Sequence, residues 1–410
     1  MSTPDLGSVA VAHKDYDVRG GGEVLVEQLA ACFDAPLYVG HRNSSCEPEG
    51  VDLDIREIPV SRLEKRAIEH GGLPRSLAYM LRWQAADLAA FETVITSGNE
   101  PLWWVPKDTQ TVIAYTHSTP RWMYDLYYTK EFSGLRGRLD AAFNLVQRAL
   151  YESNVRRPDL WVCNSEVVAR RVERYWNIPH EEIEVVYPPV AVDDYDPDDA
   201  PTQEYYCYVG RLSRAKRVDE IVRAFTESAT DTELVVAGTG PEKARLESMA
   251  GSNVRFEGFV SEHRKQQLMS GAKAGVFNGL NEDFGMVPVE FLAAGTPVLT
   301  VREGMPEYTI VDGERAMEGV RGYSYERGSQ NLAATVRRFE TEGVTATPAE
   351  LSAFAEQFSE DAFCEGMKDA VETARERTAV SVSWESDRPS TDQTEPPRSQ
   401  SAALSDGGES

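Results

Sequence analysis

The sequence predicts an α/β protein made of two doubly wound domains, each a parallel sheet with helices on both faces. Short β-rich runs alternate with helical stretches almost throughout the 410 residues, and this alternation is typical of strand–helix–strand units. The alternation stops at an acidic, proline-bearing stretch, VDDYDPDDAPTQ, and then restarts. Because the chain is also too long for one small domain, we expect two Rossmann-like domains that face each other across a cleft.

The proposed boundaries follow from this pattern. We assign residues 1–191 to an N-terminal domain, 192–203 to a linker and 204–360 to a C-terminal domain. The predicted strands are 9–12, 93–97, 111–115, 160–163 and 183–186 in the first domain, and 205–209, 233–237, 254–256, 274–278 and 297–301 in the second. We expect a helix over 361–379, for which a path back to the N-terminal domain is one option. Residues 380–410 are rich in Ser, Pro, Thr and acids, so we expect a disordered acidic tail that cannot offset its ordering entropy by burial.

No apolar run approaches the roughly 18 residues that span a bilayer. The N-terminus lacks the basic flank and the apolar stretch of a secretory signal, so we expect a cytoplasmic protein. The cysteines are odd in number and form no CxxC pair, which predicts buried thiols rather than a disulfide framework or a zinc site. They are Cys32, Cys46, Cys163, Cys207 and Cys364.

The chain is strongly acidic, with a net charge of −25 and a pI near 4.7. Such a surface repels nucleic acid, so we expect no nucleic-acid partner. The acidity is interpreted either as adaptation to high salt, where the self-repulsion is screened over a few ångströms, or as a sign of a basic partner or of ordinary variation in composition.

Two cations follow the first strand of the C-terminal domain. In YYCYVGRLSRAKRVDEIVRAF, Arg211 and Lys216 precede a run with apolar residues at helical spacing. Free N–H groups at a helix N-terminus, the helix dipole and two positive side chains all favour the same anion. The arrangement suits a diphosphate, although a solvated turn is an equally good reading of this stretch alone.

Two glutamates flank a predicted helix start in NEDFGMVPVEFLAAG. The helix can begin near Val287 or Pro288, since proline is tolerated in a first turn, and it should end before Gly295. Glu282 then lies in the preceding loop and Glu290 about one turn inside the helix. Carboxylates in these positions can accept hydrogen bonds from sugar hydroxyls.

The backbone between the two glutamates can bind phosphate. Gly285 allows close approach of a ligand, so the amides of Phe284, Gly285 and Met286 are candidates to hold phosphate oxygens.

Four motifs together resemble the C-terminal half of family 4 retaining glycosyltransferases of the GT-B fold. They are YVGRLSRAKRVDEI, VVAGTGP, VRFEGFV and NEDFGMVPVEFLAAGTPVL, in this order over roughly residues 204–310. In that family the first glutamate meets the donor sugar, the second binds the nucleotide ribose, and the Arg and Lys clamp the diphosphate. The resemblance implies these roles for Glu282, Glu290, Arg211 and Lys216.

The N-terminal half resembles the family more loosely. DVRGGGEVLVEQLA is similar to the glycine loop after the first strand, here Gly20, Gly21 and Gly22. AYTHSTPRWMYDLYY is similar to the segment that carries an active-site histidine, which falls on His117, and WVCNSEVVARRVERYWN to a strand, Asn-Ser cap and helix near the end of the domain. The sequence departs from the family at Glu23, where an apolar residue is usual.

The resemblance implies a catalysed transfer with His117, Glu282, Arg211 and Lys216 as the catalytic candidates. A hexose would move from a nucleotide-diphosphate sugar, GDP-mannose or a UDP-hexose, to a hydroxyl of a glycan or lipid-linked acceptor. Front-face attack, in which the leaving phosphate helps to deprotonate the acceptor, would account for retention. A phosphorylase or sucrose-synthase type enzyme and a non-catalytic sugar-nucleotide sensor are the rival functions.

No metal or cofactor is required by this interpretation. The triplets at 15–17 and 52–54, DYD and DLD, look like an Asp-x-Asp metal motif, but such triplets arise by chance in a chain this acidic. The cations and the helix N-terminus can stabilise the departing diphosphate instead.

An amphipathic helix is predicted within residues 134–157. Its apolar stripe is Leu139, Phe143, Val146 and Leu150, and its basic residues are Arg136, Arg138, Arg148, Arg156 and Arg157. Because amphipathic helices usually face a core, packing on the N-terminal sheet is the favoured interpretation. The alternative is a peripheral contact with anionic lipid that brings the cleft to a lipid-linked acceptor.

Overall fold

A computed structural model gives the fold of most of the chain. It describes residues 7–17, 20–43, 53–59, 72–121, 123–124, 134–197, 205–227, 232–311 and 319–386, together with single positions between 61 and 68. Cys46, Asp52 and the proposed tail from 387 onward lie outside the described residues, as does 198–203 of the proposed linker.

The N-terminal domain contains a seven-stranded parallel sheet in the order β3-β2-β1-β4-β5-β6-β7. Its strands are β1 (Val9–His13), β2 (Leu37–Val39), β3 (Ile55–Glu57), β4 (Thr93–Ser97), β5 (Thr111–Thr116), β6 (Leu160–Cys163) and β7 (Ile183–Val185). Its principal helices are α1 (Gly21–Phe33), α2 (Gly72–Gln84), α3 (Gly134–Glu152) and α4 (Glu166–Trp176).

The C-terminal domain contains a six-stranded parallel sheet in the order β10-β9-β8-β11-β12-β13. Its strands are β8 (Tyr205–Val209), β9 (Glu233–Ala237), β10 (Val254–Gly258), β11 (Ala274–Phe277), β12 (Val298–Val301) and β13 (Gly322–Tyr325). The helices are α5 (Val218–Glu227), α6 (Lys243–Met249), α7 (Glu262–Ser270), α8 (Met286–Ala293), α9 (Met305–Val311), α10 (Ser329–Glu342) and α11 (Pro348–Ala355). The two doubly wound parallel sheets predicted from the sequence are confirmed.

The central strands are buried on both faces, which explains why they read as continuous apolar runs. Val11, Ile95 and Ile113 pack into one core on one side of the N-terminal sheet. Their neighbours Ala12 and Val94 pack into a second core on the other side. This alternation is the two-residue period of a strand.

The C-terminal helix, α12 (Glu360–Ser386), returns to the N-terminal domain. Phe363, Met367 and Val371 are buried in the same core as the strands of the N-terminal sheet. The helix continues over 380–386, so the prediction that the disordered tail begins at 380 is wrong for these residues. No glycine or proline occurs between Gly366 and Pro389, so the sequence holds no stop signal there.

The prediction that all the cysteines are thiols is wrong. Cys32 of α1 and Cys364 of α12 form a disulfide, with their Cα atoms 5.5 Å apart. The partners are 332 residues apart in the chain, and only the return of α12 brings them together. Cys163 and Cys207 are buried free thiols.

The favoured interpretation of the stripe on α3 is also wrong. Leu139, Val146 and Leu150 are 63%, 56% and 41% exposed, so they do not pack into the core of the N-terminal sheet. A hydrogen bond from Gln147 Nε2 to Ser76 Oγ, 2.6 Å, fastens α3 to α2. A mainly apolar groove of about 150 Å³ lies between these two helices.

Two of the basic residues near α3 have partners within the protein. Arg148 pairs with Glu152 at 2.7 Å, and Arg157 donates to the Trp104 carbonyl oxygen, whereas Arg138 and Arg156 are exposed. No helix in the described part of the chain is long and apolar enough to cross a membrane.

Candidate functional site

Three neighbouring strands bring His13, Ser97 and His117 together at the carboxyl edge of the N-terminal sheet. His13 ends β1 and pairs in register with Ser97, which ends β4; His117 directly follows β5. His13 Nδ1 lies 3.0 Å from Ser97 Oγ, and Ser97 Oγ lies 2.6 Å from His117 Nε2. The carboxyl edge of such a sheet is where ligands bind, so this row of side chains faces the expected site.

His117 is held as a neutral imidazole. Burial, with a smaller contribution from His13, lowers the pKa of His117 to about 3. At neutral pH the ring therefore carries one proton, and it can donate one hydrogen bond and accept another.

The glycine loop opens α1 beside this row. Gly20 is the N-cap of the helix, and its N–H donates to Glu23 Oε2 at 3.0 Å. A Cβ atom at Gly21 would collide with the methyl group of Met286 from the C-terminal domain. Glycine at position 21 therefore leaves room for the end of the Met286 side chain.

Across the cleft, Lys216 and Glu282 form an ion pair. Lys216 ends the 3-10 turn Arg214–Lys216, which directly precedes α5. Its Nζ lies 2.8 Å from Glu282 Oε2 and 5.4 Å from the centre of the Phe277 ring. The predicted phosphate cation and the predicted sugar carboxylate therefore share one location.

Helix α8 begins at Met286, one residue before the predicted start, and Gly285 is its N-cap with φ = +87°. A Cβ atom at Gly285 would lie 2.8 Å from Pro306 Cγ, so both backbone conformation and space require glycine. Phe284 is buried against Tyr187 and Phe358, so only its backbone is available to a ligand.

A cavity of about 270 Å³ lies between the two domains. The structure brings the following predicted residues to its wall: Gly21, Gly22, His117, Lys216, Glu282, Phe284, Gly285 and Met286. Asn164 also lines it and donates from Nδ2 to the His117 carbonyl oxygen at 2.9 Å. Residues far apart in the chain thus converge on one interdomain site.

Three predicted residues lie outside this wall. Gly20 stands at the N-cap beside it, and Arg211 is exposed just after β8. Glu290 lies inside α8 as expected and pairs with Lys265 of α7 at 3.1 Å. Burial raises the pKa of Glu290, and the ammonium of Lys265 counters part of that effect.

The loop that carries Glu282 is held by side chains from the N-terminal domain, a feature that the sequence did not reveal. Arg171 of α4 forms a short ion pair with Asp283 and donates to the Asn281 carbonyl oxygen at 3.3 Å. Ser165 Oγ donates to the Asp283 carbonyl oxygen at 2.5 Å. The available signals were the Asn-Ser cap, which includes Ser165, and the acidic residue next to Glu282.

The DYD triplet is engaged within the N-terminal domain. Asp15 accepts hydrogen bonds from Arg75 and Tyr79, and Asp17 lies 3.3 Å from His41. Among the described residues no group of three or more His, Cys, Asp or Glu is placed to hold a metal ion.

Comparison with known sequences supports the family resemblance found in the sequence motifs. The family described as Glycosyltransferase Family 4 matches residues 19–194, and that described as Glycosyl transferases group 1 matches residues 196–358. A GDP-mannose-dependent alpha-(1-6)-phosphatidylinositol dimannoside mannosyltransferase of Mycobacterium tuberculosis is 38% identical over 107 residues, 25% of this chain and 28% of that protein. A D-inositol 3-phosphate glycosyltransferase of Nocardiopsis dassonvillei is 28% identical over 197 residues, 42% of this chain and 46% of that protein. The chain therefore spans less than half the length of these relatives.

Solved structures share the fold at low sequence identity. The Anabaena protein Alr3699/HepE in complex with UDP and glucose superposes with a TM-score of 0.66 at 14% identity, covering 89% of this chain and 99% of that one. The lipopolysaccharide outer core galactosyltransferase WaaB gives a TM-score of 0.65 at 15% identity, with 89% and 99% covered. Because the two family matches together span most of the sequence, the chain belongs to the family 4 type of glycosyltransferases with the GT-B fold.

Proposed function

We propose that this protein transfers a hexose, with retention of anomeric configuration, from GDP-mannose or a UDP-hexose to a hydroxyl of a lipid-linked or glycan acceptor. The observation that carries the proposal is the interdomain cavity in which the Lys216–Glu282 pair faces the glycine loop and His117. One wall has the groups that bind a diphosphate, and the other has polar groups at the carboxyl edge of a sheet.

The donor binds to the C-terminal domain in this proposal. Lys216, Arg211 and the N-terminal amides of α8 hold the diphosphate, while Glu282 accepts hydrogen bonds from the sugar and Glu290 from the ribose. The donor class is supported by the GDP-mannose-dependent relative and by the UDP and UDP-glucose complexes of HepE.

The chemistry we propose needs no metal ion or cofactor. Cations and backbone amides stabilise the charge that develops on the leaving diphosphate. Glu282 is ion-paired with Lys216, which favours a role in sugar binding over one as a nucleophile. The leaving phosphate then takes the proton of the acceptor hydroxyl as that hydroxyl attacks the same face of the sugar, and this sequence of events yields retention.

The acceptor side favours an amphipathic molecule. The groove between α2 and α3 is lined by Asn99 and Glu100, which follow β4, and by Pro120 and Met123, which follow His117. It thus borders the same sheet edge as His117, and its lining includes the exposed Leu77 of α2 and Leu150 of α3. We place the apolar chain of a lipid-linked acceptor in this groove, with the protein at the cytoplasmic face of a membrane.

The acidic surface is consistent with a protein that functions at high salt concentration, where a net charge of −25 is screened over a few ångströms. The thermal midpoint should then rise as KCl is raised to molar concentration, because screening relieves self-repulsion in the compact state. A protein that is most stable at low salt contradicts this part of the proposal.

The experiment for the main function is a donor panel. Purified protein is incubated with GDP-mannose, UDP-glucose and UDP-galactose, with and without a membrane lipid extract, and with EDTA throughout. Donor binding, nucleoside diphosphate release and sugar incorporation into lipid are measured, and inorganic phosphate or fructose is added in parallel reactions. Lipid-dependent turnover of one donor supports the proposal; binding without turnover for every donor supports the sensor; turnover that requires inorganic phosphate or fructose supports the phosphorylase or sucrose-synthase type.

A further inference from the structure

A chain of polar contacts leads from Glu23, at the start of α1, to His117 in the cavity wall. Glu23 Oε1 lies 3.8 Å from His13 Nε2. His13 Nδ1 contacts Ser97 Oγ, and Ser97 Oγ contacts His117 Nε2. His13 is 1% exposed, and among the described residues its Nε2 has no hydrogen-bond partner, so the carboxylate at 3.8 Å faces a buried ring nitrogen.

Glu23 is an anion with two separately engaged oxygens. Its Oε2 accepts from the Gly20 N–H at 3.0 Å, while Oε1 faces His13. Burial raises the pKa of Glu23, but the contacts with His13 and a backbone N–H outweigh that effect and bring the pKa below its ordinary value.

The direction of the hydrogen bonds follows from the carboxylate. When His13 carries a single ring proton, a proton on Nε2 points an N–H at Glu23 Oε1, whereas the other tautomer would point a lone pair at an anion. With Nε2 protonated, His13 Nδ1 must accept from the Ser97 hydroxyl. Ser97 Oγ is then left to accept, and His117 must donate to it from Nε2.

We propose that Glu23 is a positioning residue that fixes the tautomer of His117 through His13 and Ser97. His117 carries its proton on Nε2, and Nδ1 is its hydrogen-bond acceptor. The consequence for transfer rests on the proposed function. An unprotonated Nδ1 in the cavity accepts a hydrogen bond from a sugar hydroxyl, whereas in the reversed tautomer Nδ1 is protonated and can only donate to that hydroxyl.

The tautomer can be measured without knowledge of the substrate. The full chain is labelled with ¹⁵N-histidine, and the ring nitrogens are observed by long-range ¹H–¹⁵N correlation at neutral pH, with assignment by His13→Gln and His117→Gln. The protonated and bare nitrogens of a neutral imidazole differ widely in chemical shift. We expect a bare Nδ1 for His117 and a bare Nδ1 for His13. A proton on Nδ1 of either ring in the wild type overturns the proposal.

Glu23→Gln is the decisive variant. Glutamine serves in a capping box as glutamate does, so its oxygen can keep the Gly20 N–H while its NH₂ replaces Oε1 and faces His13. His13 Nε2 then faces a donor and presents its lone pair, the two hydrogen bonds that Ser97 makes with His13 and His117 reverse, and the proton of His117 moves to Nδ1. An unchanged His117 spectrum in folded Glu23→Gln contradicts the proposal.

Two controls distinguish this relay, the row of contacts from Glu23 through His13 and Ser97 to His117, from a general disturbance of the structure. The first is Glu27→Gln. Glu27 lies one turn further along α1 and accepts a hydrogen bond from the Tyr16 hydroxyl, so this variant should leave the tautomer of His117 unchanged. In a Ser97→Ala background the relay is broken, so adding Glu23→Gln should have no further effect on His117. An effect that persists without Ser97 rules out the relay. Donor turnover is measured in parallel, and a change in tautomer without any turnover in the wild type would count against the proposed function alone.

Discussion

Lys216 Nζ lies 2.8 Å from Glu282 Oε2, so the cation predicted to hold the diphosphate and the carboxylate predicted to meet the sugar are ion-paired. Both side chains are about one quarter exposed, 29% for Lys216 and 27% for Glu282. A donor with its diphosphate on Lys216 would thus place the adjoining sugar next to Glu282. In the proposed reaction, this pair would contact both the diphosphate and the sugar, the two parts of the donor between which the bond breaks.

Lys216→Ala should reduce donor binding and turnover. A charge-assisted hydrogen bond contributes about 1.5–3 kcal/mol, and its loss corresponds to roughly a 10- to 150-fold lower kcat/KM. Arg211→Ala should have an effect in the same direction. Arg214→Ala is the matched control, because Arg214 lies in the same turn with a side chain that is 92% exposed. Full activity in both Lys216→Ala and Arg211→Ala would remove the basis for the diphosphate site.

Glu282→Gln and Glu290→Gln should separate transfer from nucleotide binding. Glu282→Gln keeps the shape but weakens acceptance from sugar hydroxyls, so the loss should fall mainly on transfer rate. Glu290→Gln should lower nucleotide affinity in calorimetry. Glu262→Gln is its control, because Glu262 contacts the same Lys265 at 2.6 Å and is 76% exposed. Normal transfer by Glu282→Gln together with unchanged nucleotide binding by Glu290→Gln would show that the roles are wrongly assigned.

Arg171→Gln should lower turnover although Arg171 lies on the opposite domain from Glu282. Arg171 is 8% exposed and binds Asp283 and the Asn281 carbonyl oxygen. Breaking a buried pair costs about 3–5 kcal/mol, and here the cost should appear as a loosened Glu282 loop. We expect at least a roughly 10-fold loss in kcat and a smaller change in nucleotide affinity. Arg174→Gln, an exposed position on the same helix, should behave as wild type; equal kcat in both variants would contradict this coupling.

The sequence predicted ten of the thirteen strands in the described part of the chain. All ten predicted strands are present, whereas β2, β3 and β13 were not predicted. β2 and β3 have three residues each, and β3 buries only Ile55, so it carries no apolar run. β13, Gly322–Tyr325, contains glycine, serine and two tyrosines, and the hydroxyl of Tyr325 reaches Asn278 at 3.2 Å, so its burial depends on partners outside the strand.

The site was predictable where chemistry and local structure coincide. Gly285 and Glu282 were found because a glycine, a helix start and a carboxylate occur within a few residues. Ser97 and Arg171 were not found, because a serine at the end of a strand or an arginine on a helix acquires its role only through partners at His117 and Asp283. The Cys32–Cys364 disulfide was missed for the same reason.

The disulfide should stabilise the packing of α12 on α1. Loss of a native disulfide typically costs about 2–5 kcal/mol, so Cys364→Ala should lower the free energy of unfolding measured in urea. Reductant should destabilise the wild type and leave Cys364→Ala unaffected, which provides the internal control. Thiol titration of unfolded protein purified without reductant should find three reactive thiols of the five cysteines. Five thiols, or equal stability with and without reductant, would contradict a native disulfide.

The exposed stripe of α3 should bind a lipid surface. Leu139, Val146 and Leu150 are 63%, 56% and 41% exposed, and full burial of such a side chain contributes about 1.5–3 kcal/mol. Even partial insertion of all three should therefore contribute enough that changing them to serine lowers vesicle recovery roughly 10-fold. Liposome co-sedimentation with anionic and neutral vesicles measures this effect.

The controls distinguish lipid insertion from general stickiness and from charge. Phe259→Ser removes an 85% exposed aromatic side chain of the C-terminal domain, and it should not change recovery. Changing Arg136, Arg138 and Arg148 to glutamine should weaken binding to anionic vesicles at low salt only, because salt screens exposed charges over a few ångströms and Arg148 is already paired with Glu152. The serine variant should stay impaired at molar KCl, where apolar contacts must carry the binding. Equal recovery of the wild type and the serine variant at both salt concentrations would exclude the membrane contact and leave Val146 and Leu150 as part of the wall of the groove between α2 and α3.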